Sequence, residues 1–238
     1  LGELPRAASV QPWAVLATSD LAVRGTRPLE GARLLALAHR CANEGITLVT
    51  FSTDEVFGGD AEAPHCESET PTPDLPHGRE RHDLERALLA ATRDLLLVRT
   101  GVLLEPGVVD DGFMRVLSAL RSGARLRVPD DEIVSLSSVP HLLDATLDLL
   151  IDGERGVWHG THRGAASLFE LSRRVAELAG AEPGSISAGR ALHPWGLESR
   201  PGMRALASDR AWPMPPMAVA LAEHVAAAAL ARRDPSAA

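Results

Sequence analysis

Short apolar runs and amphipathic stretches alternate along the first hundred residues of the chain. Residues 13–18, 47–51 and 95–99 are mostly large or β-branched apolar residues, which is typical of buried strands in a parallel sheet. Residues 28–45 and 79–93 instead carry apolar side chains three and four positions apart, which predicts helices. This alternation indicates an α/β fold built on a doubly wound parallel sheet.

Two of the predicted helices carry a stripe of residues that we expect to face the core. In the helix between Pro28 and Gly45 the stripe consists of Leu29, Ala32, Leu35, Ala36 and His39. In the helix that begins at Pro140 and ends at Gly153 it consists of Leu142, Leu143, Leu147, Leu150 and Ile151.

The second half of the chain is less regular. Its pattern predicts further helices over residues 113–121, 168–179 and 216–232, and strands over 126–128, 133–136 and 156–160. Ser167 and Glu170 have the spacing of a capping box at the start of the helix over 168–179. Residues 58–76 contain four prolines and predict a loop.

Composition and charge narrow the classes of function. The net charge of −8 argues against a nucleic-acid or anionic-membrane surface, and no apolar run approaches the roughly 18 residues that span a bilayer. The two cysteines have no CxxC spacing, so we expect a reducing, cytoplasmic setting, with Cys41 buried in a helix. All 24 basic residues of the Lys+Arg count are arginine, and the chain has no tyrosine.

Small polar residues follow the strand over 47–51, at the edge where ligands of doubly wound sheets bind. This segment, FSTDEVFGG, resembles the S-T-D-x-V-F-x-G motif of the dTDP-4-dehydrorhamnose reductase family, among the extended short-chain dehydrogenases. Thr53, Asp54, Val56, Phe57 and Gly59 carry the match. Residues 137–160 are similar to the family's P-T-x-x-x-D-L-A helix and the strand after it, and residues 200–221 to its R-P-x-x-S-x-L ending.

The resemblance implies a Rossmann-like sheet that lacks its N-terminal strands, joined to a small C-terminal substrate-binding lobe. Residues 1–104 and 130–160 would form the incomplete core, and 105–129 and 161–238 the lobe, as one interleaved unit. It implies NADPH as cofactor and a nucleotide sugar as ligand. No glycine-rich turn stands near the start of the sequence, so we expect the chain to begin about 60 residues too late to include the phosphate cradle.

The resemblance also assigns roles to individual residues. His77 and Arg81 stand where the family has its catalytic Tyr-x-x-x-Lys pair, which transfers a proton and grips the cofactor ribose. Thr53 would bind the substrate carbonyl as the third catalytic residue. The remaining residues divide into cofactor contacts, Ala17 and Thr18, and substrate contacts, Asp54, Glu55, Val102 and Arg200.

Other interpretations of these residues stay open. His77 and Arg81 are also compatible with a solvated helix face, and Arg200 with either a diphosphate or a surface acid. Glu55 stands where the family often has an aromatic, and its carboxylate would repel a nucleotide diphosphate. A second hypothesis is therefore a non-catalytic nucleotide-sugar-binding or scaffold module, as a dimer or as one part of a larger fusion.

Several further clusters look ordinary. His159 and His162 have metal-ligand types but no third ligand at a useful spacing, so we expect no metal site. His65 and Cys66 suggest a plain loop pair. Five acids, Asp110, Asp111, Asp130, Asp131 and Glu132, suggest helix starts and turns.

Overall fold

A computed structural model describes residues 12–18, 28–105, 111–189, 193–194, 196, 199–210 and 214–231. The helices are α1 Pro28–Glu44, α2 Pro76–Ala91, α3 Gly112–Arg121, α4 Val139–Ile151, α5 Leu168–Leu178 and α6 Met217–Ala231. The strands are β1 Ala14–Ala17, β2 Thr47–Thr53, β3 Leu95–Thr100, β4 Val102–Leu104, β5 Leu126–Val128, β6 Glu132–Val134, β7 Leu136–Ser138, β8 Gly156–His159, β9 Ala166–Ser167, β10 Ile186–Ala188 and β11 Gly202–Met203.

The largest sheet of the described chain is parallel, with the strand order β1-β2-β3-β8. Alternate residues of its strands face opposite sides, as a period of two requires. Leu48, Leu95 and Leu97 pack with α1 and α2 on one side. Val49, Val98 and their neighbours pack with α4 on the other. Helices on both faces confirm the expected doubly wound α/β fold.

A second apolar cluster joins α3, α5 and α6 to short strands of the chain's second half. Three small sheets contribute to this region, with the orders β10-β5, β11-β6-β9 and β4-β7. β11 comes from the end of the chain and pairs with β6. This pairing places the segment around residues 200–204 beside the turn that follows β2, where Arg200 Nη2 lies 3.2 Å from Asp54 Oδ2.

The capping box is confirmed, whereas the core-facing stripes predicted for two helices are wrong in α1 and only partly right in α4. The Ser167 hydroxyl accepts from the N–H of Glu170, whose carboxylate accepts from the N–H of Ser167. In α1 the buried residues are Leu34, Ala38 and Cys41; Ala32, Ala36 and His39 are exposed, Leu35 is half-buried and the Leu29 side chain lies outside the described residues. Small alanines make several stripes of this helix look alike, so apolar spacing alone does not determine which stripe is buried.

In α4 the error has a polar cause. Leu142, Leu149 and Leu150 are buried as part of the core, but Leu147 and Ile151 are 42% and 73% exposed. Thr146 occupies the buried stripe, and its hydroxyl donates to the Leu142 carbonyl at 2.6 Å. Because that bond satisfies the hydroxyl inside the helix, a polar residue that the predicted stripe did not include occupies the buried face.

Cys41 is buried as expected, and burial raises the pKa of its thiol. Of the helices that the structure describes, none combines the length and the apolar character needed to cross a bilayer.

β1 lies at the edge of the main sheet, and on its outer side it has no partner among the described strands. The Thr47 N–H donates to the Trp13 carbonyl at 3.0 Å, so the backbone groups of Trp13 and Val15 face β2. Those of Leu16 then point outward, since the directions alternate along a strand. Trp13 is 61% exposed beside this edge.

We expect the chain to self-associate through the β1 edge, because an open strand edge is a template for pairing. Leu16→Pro removes an outward N–H and should reduce association without loss of folding. Val15→Pro, the matched control, removes an N–H that faces β2 and should destabilise the fold. Light scattering and circular dichroism measure both effects, and a monodisperse, cooperatively unfolding monomer of the unaltered chain would contradict this prediction.

Candidate active site

β2 ends in a short 3-10 turn, which spans Asp54–Val56. Thr53 is the N-cap of this turn, and its hydroxyl accepts a hydrogen bond from the Glu55 N–H at 3.3 Å. Thr53 is also the register neighbour of Thr100, the last residue of β3. Because ligands of such sheets bind at the carboxyl ends of the strands, this turn is the centre of the candidate site.

Helix α2 begins directly against the turn. A Cβ at Gly78 would collide with the carbonyl oxygen of Glu55, so this position in the first helical turn requires glycine. His77 precedes it, and its Nε2 lies 3.4 Å from Oε1 of Glu55. The close approach of helix and turn thus pairs the predicted proton donor with a carboxylate of the protein itself.

His77 and Arg81 differ sharply in exposure. The His77 side chain is 39% exposed, whereas Arg81 is only 2% exposed. The interpretation of both residues as a solvated helix face is therefore wrong for Arg81. The two residues lie on the same face of α2, but His77 is at the surface and Arg81, one helical turn later, is in the protein interior.

Arg200 is surrounded by three carboxylates, and we call these four residues the Arg200 cage. Its guanidinium lies 3.2 Å from Asp54 Oδ2 through Nη2, 3.8 Å from Glu55 Oε1 through Nη1, and 3.4 Å from Glu132 Oε1 through Nε. All four residues are at most 5% exposed. Burial lowers the pKa of Arg200, but the charges of Asp54, Glu132 and Glu55 outweigh burial and raise it.

Glu132 was expected to be a turn acid, and that expectation is wrong. Its Oε2 accepts from the backbone N–H of Arg200 at 2.7 Å and lies 3.4 Å from Nε2 of His193. Burial raises the pKa of Glu132, but the hydrogen bonds from His193 and the Arg200 backbone, with their charges, bring it below its ordinary value. No local pattern marks this role, because partner and carboxylate lie 68 residues apart.

Of the two interpretations left open for Arg200, pairing with a surface acid is wrong, since its acidic partners are buried. A contact between Arg200 and a diphosphate stays a prediction, and the diphosphate would have to compete with three carboxylates. The structure thus brings Thr53, Asp54, Glu55, His77 and Arg200 together at one end of β2.

The remaining predicted contacts lie around this centre. Ala17 ends β1 opposite Thr50, three residues before Thr53, and Thr18 after it is exposed. Val102 is buried in β4, and its N–H donates to the Ser135 carbonyl at 2.9 Å. Their roles in binding stay predictions.

A buried ion pair fixes α2 to the sheet beneath the site. Arg99 of β3 donates to both carboxylate oxygens of Glu85, with Nε–Oε1 and Nη2–Oε2 distances of 3.0 and 2.7 Å. The Arg99 guanidinium also lies 5.2 Å from the Phe57 ring centroid and 3.3 Å from Nε2 of His159. Sequence signals existed: Arg99 is a charge within an apolar run, and Glu85 matches the last position of the family's Y-G-x-S-K-x-x-x-E motif.

His65 was expected in a plain loop pair, which is wrong. It is 4% exposed and stacks on Phe57, with ring centroids 4.3 Å apart and an interplanar angle of 8°. Its Nδ1 lies 2.9 Å from Glu69, and this hydrogen bond lowers the pKa of that carboxyl. The loop after the turn is therefore held by a buried side chain.

The segment that carries Arg200 is fastened to the same loop. Arg204 donates two hydrogen bonds to Asp74, at 3.0 and 2.7 Å, and one to the Phe57 carbonyl at 3.0 Å. Gly202 has a φ of +101°, and a Cβ there would collide with the backbone of Gly59. Two glycines thus let the two backbones approach closely.

No group of three metal-ligating side chains occurs within the described parts of the chain. The His159 Nδ1 donates to the Ala207 carbonyl at 2.8 Å, and the His162 Nδ1 to the Pro215 carbonyl at 2.9 Å. Burial lowers the pKa of both imidazoles. Asp111 caps α3 as expected of a helix-start acid, and Asp110 lies outside the described residues.

Comparison with known proteins identifies the family. The model of the RmlD substrate binding domain matches residues 29–208, which is most of the chain. The chain belongs to this family. A dTDP-4-keto-6-deoxy-D-glucose reductase of Streptomyces niveus is 33% identical over 184 residues, 76% of this chain and 62% of that protein. A dTDP-4-dehydrorhamnose reductase of Mycobacterium tuberculosis is 37% identical over 153 residues, 62% of this chain and 50% of that protein.

The chain therefore spans between 50% and 62% of the length of these curated relatives. Solved structures share its fold. A dTDP-4-dehydrorhamnose reductase of Yersinia enterocolitica has a TM-score of 0.75 at 20% identity, covering 91% of this chain and 82% of that one. The enzyme of the same name from Bacillus anthracis, in complex with NADP, has a TM-score of 0.73 at 19% identity, covering 90% and 80%.

The Arg200 cage predicts a large cost for removing its cation. Arg200→Gln leaves three buried carboxylates without their counter-charge and should destabilise the fold by about 3–5 kcal/mol. Arg174→Gln, which breaks an exposed ion pair with Glu177, should cost less than about 1 kcal/mol. Denaturant unfolding of both variants at neutral pH measures the difference, and equal small effects would contradict a structural role for the cage.

The destabilisation caused by Arg200→Gln should also depend on pH. Because the pKa of Glu132 is lowered in the folded chain, its stabilisation is present above the ordinary carboxyl pKa and is lost as pH falls through the lowered value. The gap in unfolding free energy between the unaltered chain and Arg200→Gln should therefore narrow in acid. A gap that stays constant below pH ~4 would show that the carboxylates do not cause it.

Proposed function

We propose that this chain is the nucleotide-sugar-binding part of a reductase-like protein of this family, and that its carbonyl-reduction chemistry is impaired. The family match and the named activities of the relatives support the ligand class. The fold and the position of Thr53 at the carboxyl end of β2 support a ligand site at this turn.

One observation carries the impairment. Oε1 of Glu55 lies 3.4 Å from Nε2 of His77 and 3.8 Å from Nη1 of Arg200. The residue at the proton-donor position and the residue at the diphosphate position are both paired with the protein's own carboxylate. With no tyrosine anywhere in the chain, no phenol can take the place of His77.

The residues present do not fit NADPH as a whole. A dinucleotide needs a glycine-rich turn through which its phosphates approach a helix N-terminus. The connection after β2, which the structure describes, is a 3-10 turn with two buried carboxylates instead. Thr18 and His77 could still contact a nicotinamide ribose, so NADPH is the cofactor only of a chain that also carries the phosphate-binding half.

A second candidate is a reductase in which His77 donates the proton. Its partial exposure in the first turn of α2, beside the turn that Thr53 caps, favours this role. Imidazole can donate a proton near neutral pH, and Thr53 would hold the carbonyl oxygen through its hydroxyl. The two candidates share the ligand and differ in whether reduction follows binding.

Ligand binding separates cofactor from sugar nucleotide. We expect NADPH to bind this chain with a dissociation constant above about 10 μM, a binding free energy weaker than about −7 kcal/mol, because the described residues offer no glycine-rich turn to its phosphates. A dTDP-hexose should raise the melting temperature in proportion to its concentration over its dissociation constant. Calorimetry and thermal unfolding test both; tight NADPH binding, or no response to any dTDP-hexose, would contradict the proposal.

Restoring the proton donor tests the impairment. In this chain joined to a complete dinucleotide-binding half of a relative, His77→Tyr with Arg81→Lys should raise turnover of a dTDP-4-keto sugar and broaden its pH range. Thr53→Val in the restored protein should lower turnover roughly 10²-fold, because it removes a hydrogen bond to the carbonyl oxygen. Thr50→Val, in the same strand but before its end, is the control. Unchanged turnover in all variants would mean that this turn is not the reaction site.

A further inference from the structure

Three buried polar atoms of the Arg200 cage make no hydrogen bond to any described residue. They are Nε and Nη1 of Arg200 and Oε2 of Glu55. The 3.8 Å between Nη1 of Arg200 and Oε1 of Glu55 is an ion-pair distance, too long for a hydrogen bond. Buried donors and acceptors left without a hydrogen bond are costly. Nε of Arg200 still faces Glu132 Oε1 at 3.4 Å, so Nη1 of Arg200 and Oε2 of Glu55 are the two atoms left for a further partner.

The charges of the cage restrict what that partner can be. Three carboxylates surround one guanidinium, so the cage is negative unless the neighbouring histidines are protonated. A phosphate placed between Glu55 and Arg200 would meet one cation and several anions within a buried volume, which is unfavourable. A neutral group escapes this repulsion.

The unpaired atoms also specify the hydrogen-bonding character of the partner. Arg200 offers only donors and Glu55, when ionised, only acceptors. A hydroxyl group both accepts and donates, so one hydroxyl can take a hydrogen bond from Arg200 and give one to Glu55. His77 connects this pair to the surface, since its half-exposed ring lies 3.4 Å from Glu55.

We propose that Glu55 and Arg200 form a pair that recognises one hydroxyl group on the hexose of a nucleotide sugar, and that Arg200 does not bind the diphosphate. This inference rests on the proposed function and goes beyond it, because it moves Arg200 from the phosphates to the sugar. In this arrangement Glu55 determines the specificity for the sugar. Glu55 is also the residue that stands where the family often has an aromatic residue.

The test asks whether the effect of removing one hydroxyl from the ligand depends on the carboxylate of Glu55. Binding of dTDP, dTDP-glucose and dTDP-glucose analogues that each lack one hydroxyl is measured by calorimetry on the unaltered chain, Glu55→Gln and Glu154→Gln. Glu154 is a control carboxylate, half-exposed and paired with Arg210. Removing the recognised hydroxyl should weaken binding roughly 10–100-fold in the unaltered chain and in the control, because a hydrogen bond to a charged group is lost.

In Glu55→Gln that loss should shrink to a few-fold at the same hydroxyl, while the affinity for dTDP stays unchanged. The deoxy series on the unaltered chain needs no variant, so the inference stays testable if Glu55→Gln fails to fold. Equal binding of every deoxy analogue would overturn the inference. A rise in affinity for dTDP itself in Glu55→Gln would also overturn it, because Glu55 would then face the diphosphate.

The outcomes also separate this inference from the proposed function. If dTDP-glucose and dTDP bind equally well, the nucleotide site stands and the hydroxyl pair is wrong. If no nucleotide binds, the proposed function fails, and methyl glucoside alone becomes the probe. A sugar that is only excluded from the protein surface stabilises all variants alike. If methyl glucoside raises the melting temperature of the unaltered chain more than that of Glu55→Gln, the result supports the pair. Identical rises overturn the pair as well.

Discussion

The structure of the candidate site depends on a buried guanidinium that must be neutralised. Arg200 comes from near the end of the chain, whereas its partners stand in the turn after β2 and in β6. A charge without partners in the interior would cost several kcal/mol, so the pairing forces three distant segments to one point. The main sheet and the C-terminal segment are thereby held together by electrostatics as well as by apolar packing.

A second buried arginine, Arg99, also holds distant segments together through an ion pair, below the site. The bidentate pair of Arg99 and Glu85 fixes α2 along its length, so the first turn of the helix meets the 3-10 turn at Gly78. Both arrangements use the planar, forked shape of guanidinium, which a lysine ammonium cannot match. The complete replacement of lysine by arginine in this chain is therefore compatible with a charge-rich interior.

Local features of the fold were predictable from the sequence, and long-range pairing was not. The strands around Val49 and Leu97 and the cap at Ser167 follow from short-range rules of hydrophobicity and capping. The buried stripe of α1 was missed because alanine is abundant there, and that of α4 was only partly predicted because Thr146, which satisfies its own hydroxyl, lies on it. Thr53, Glu55 and His77 were found by motif, but Glu132 acts through a partner 68 residues away in the chain, which no local pattern encodes.

The close contact of Gly59 and Gly202 bears on how a ligand could be captured. The Met203 N–H donates to the Gly59 carbonyl, and the Gly202 N–H to the Asp131 carbonyl, at 3.0 and 2.6 Å. Arg200 therefore stands two residues from a backbone junction in which a Cβ has no room. Such a guanidinium is preorganised: its conformational entropy is lost on folding, not on binding. The site would then bind ligands without rearranging, and it would discriminate between them by the stereochemistry of the ligand.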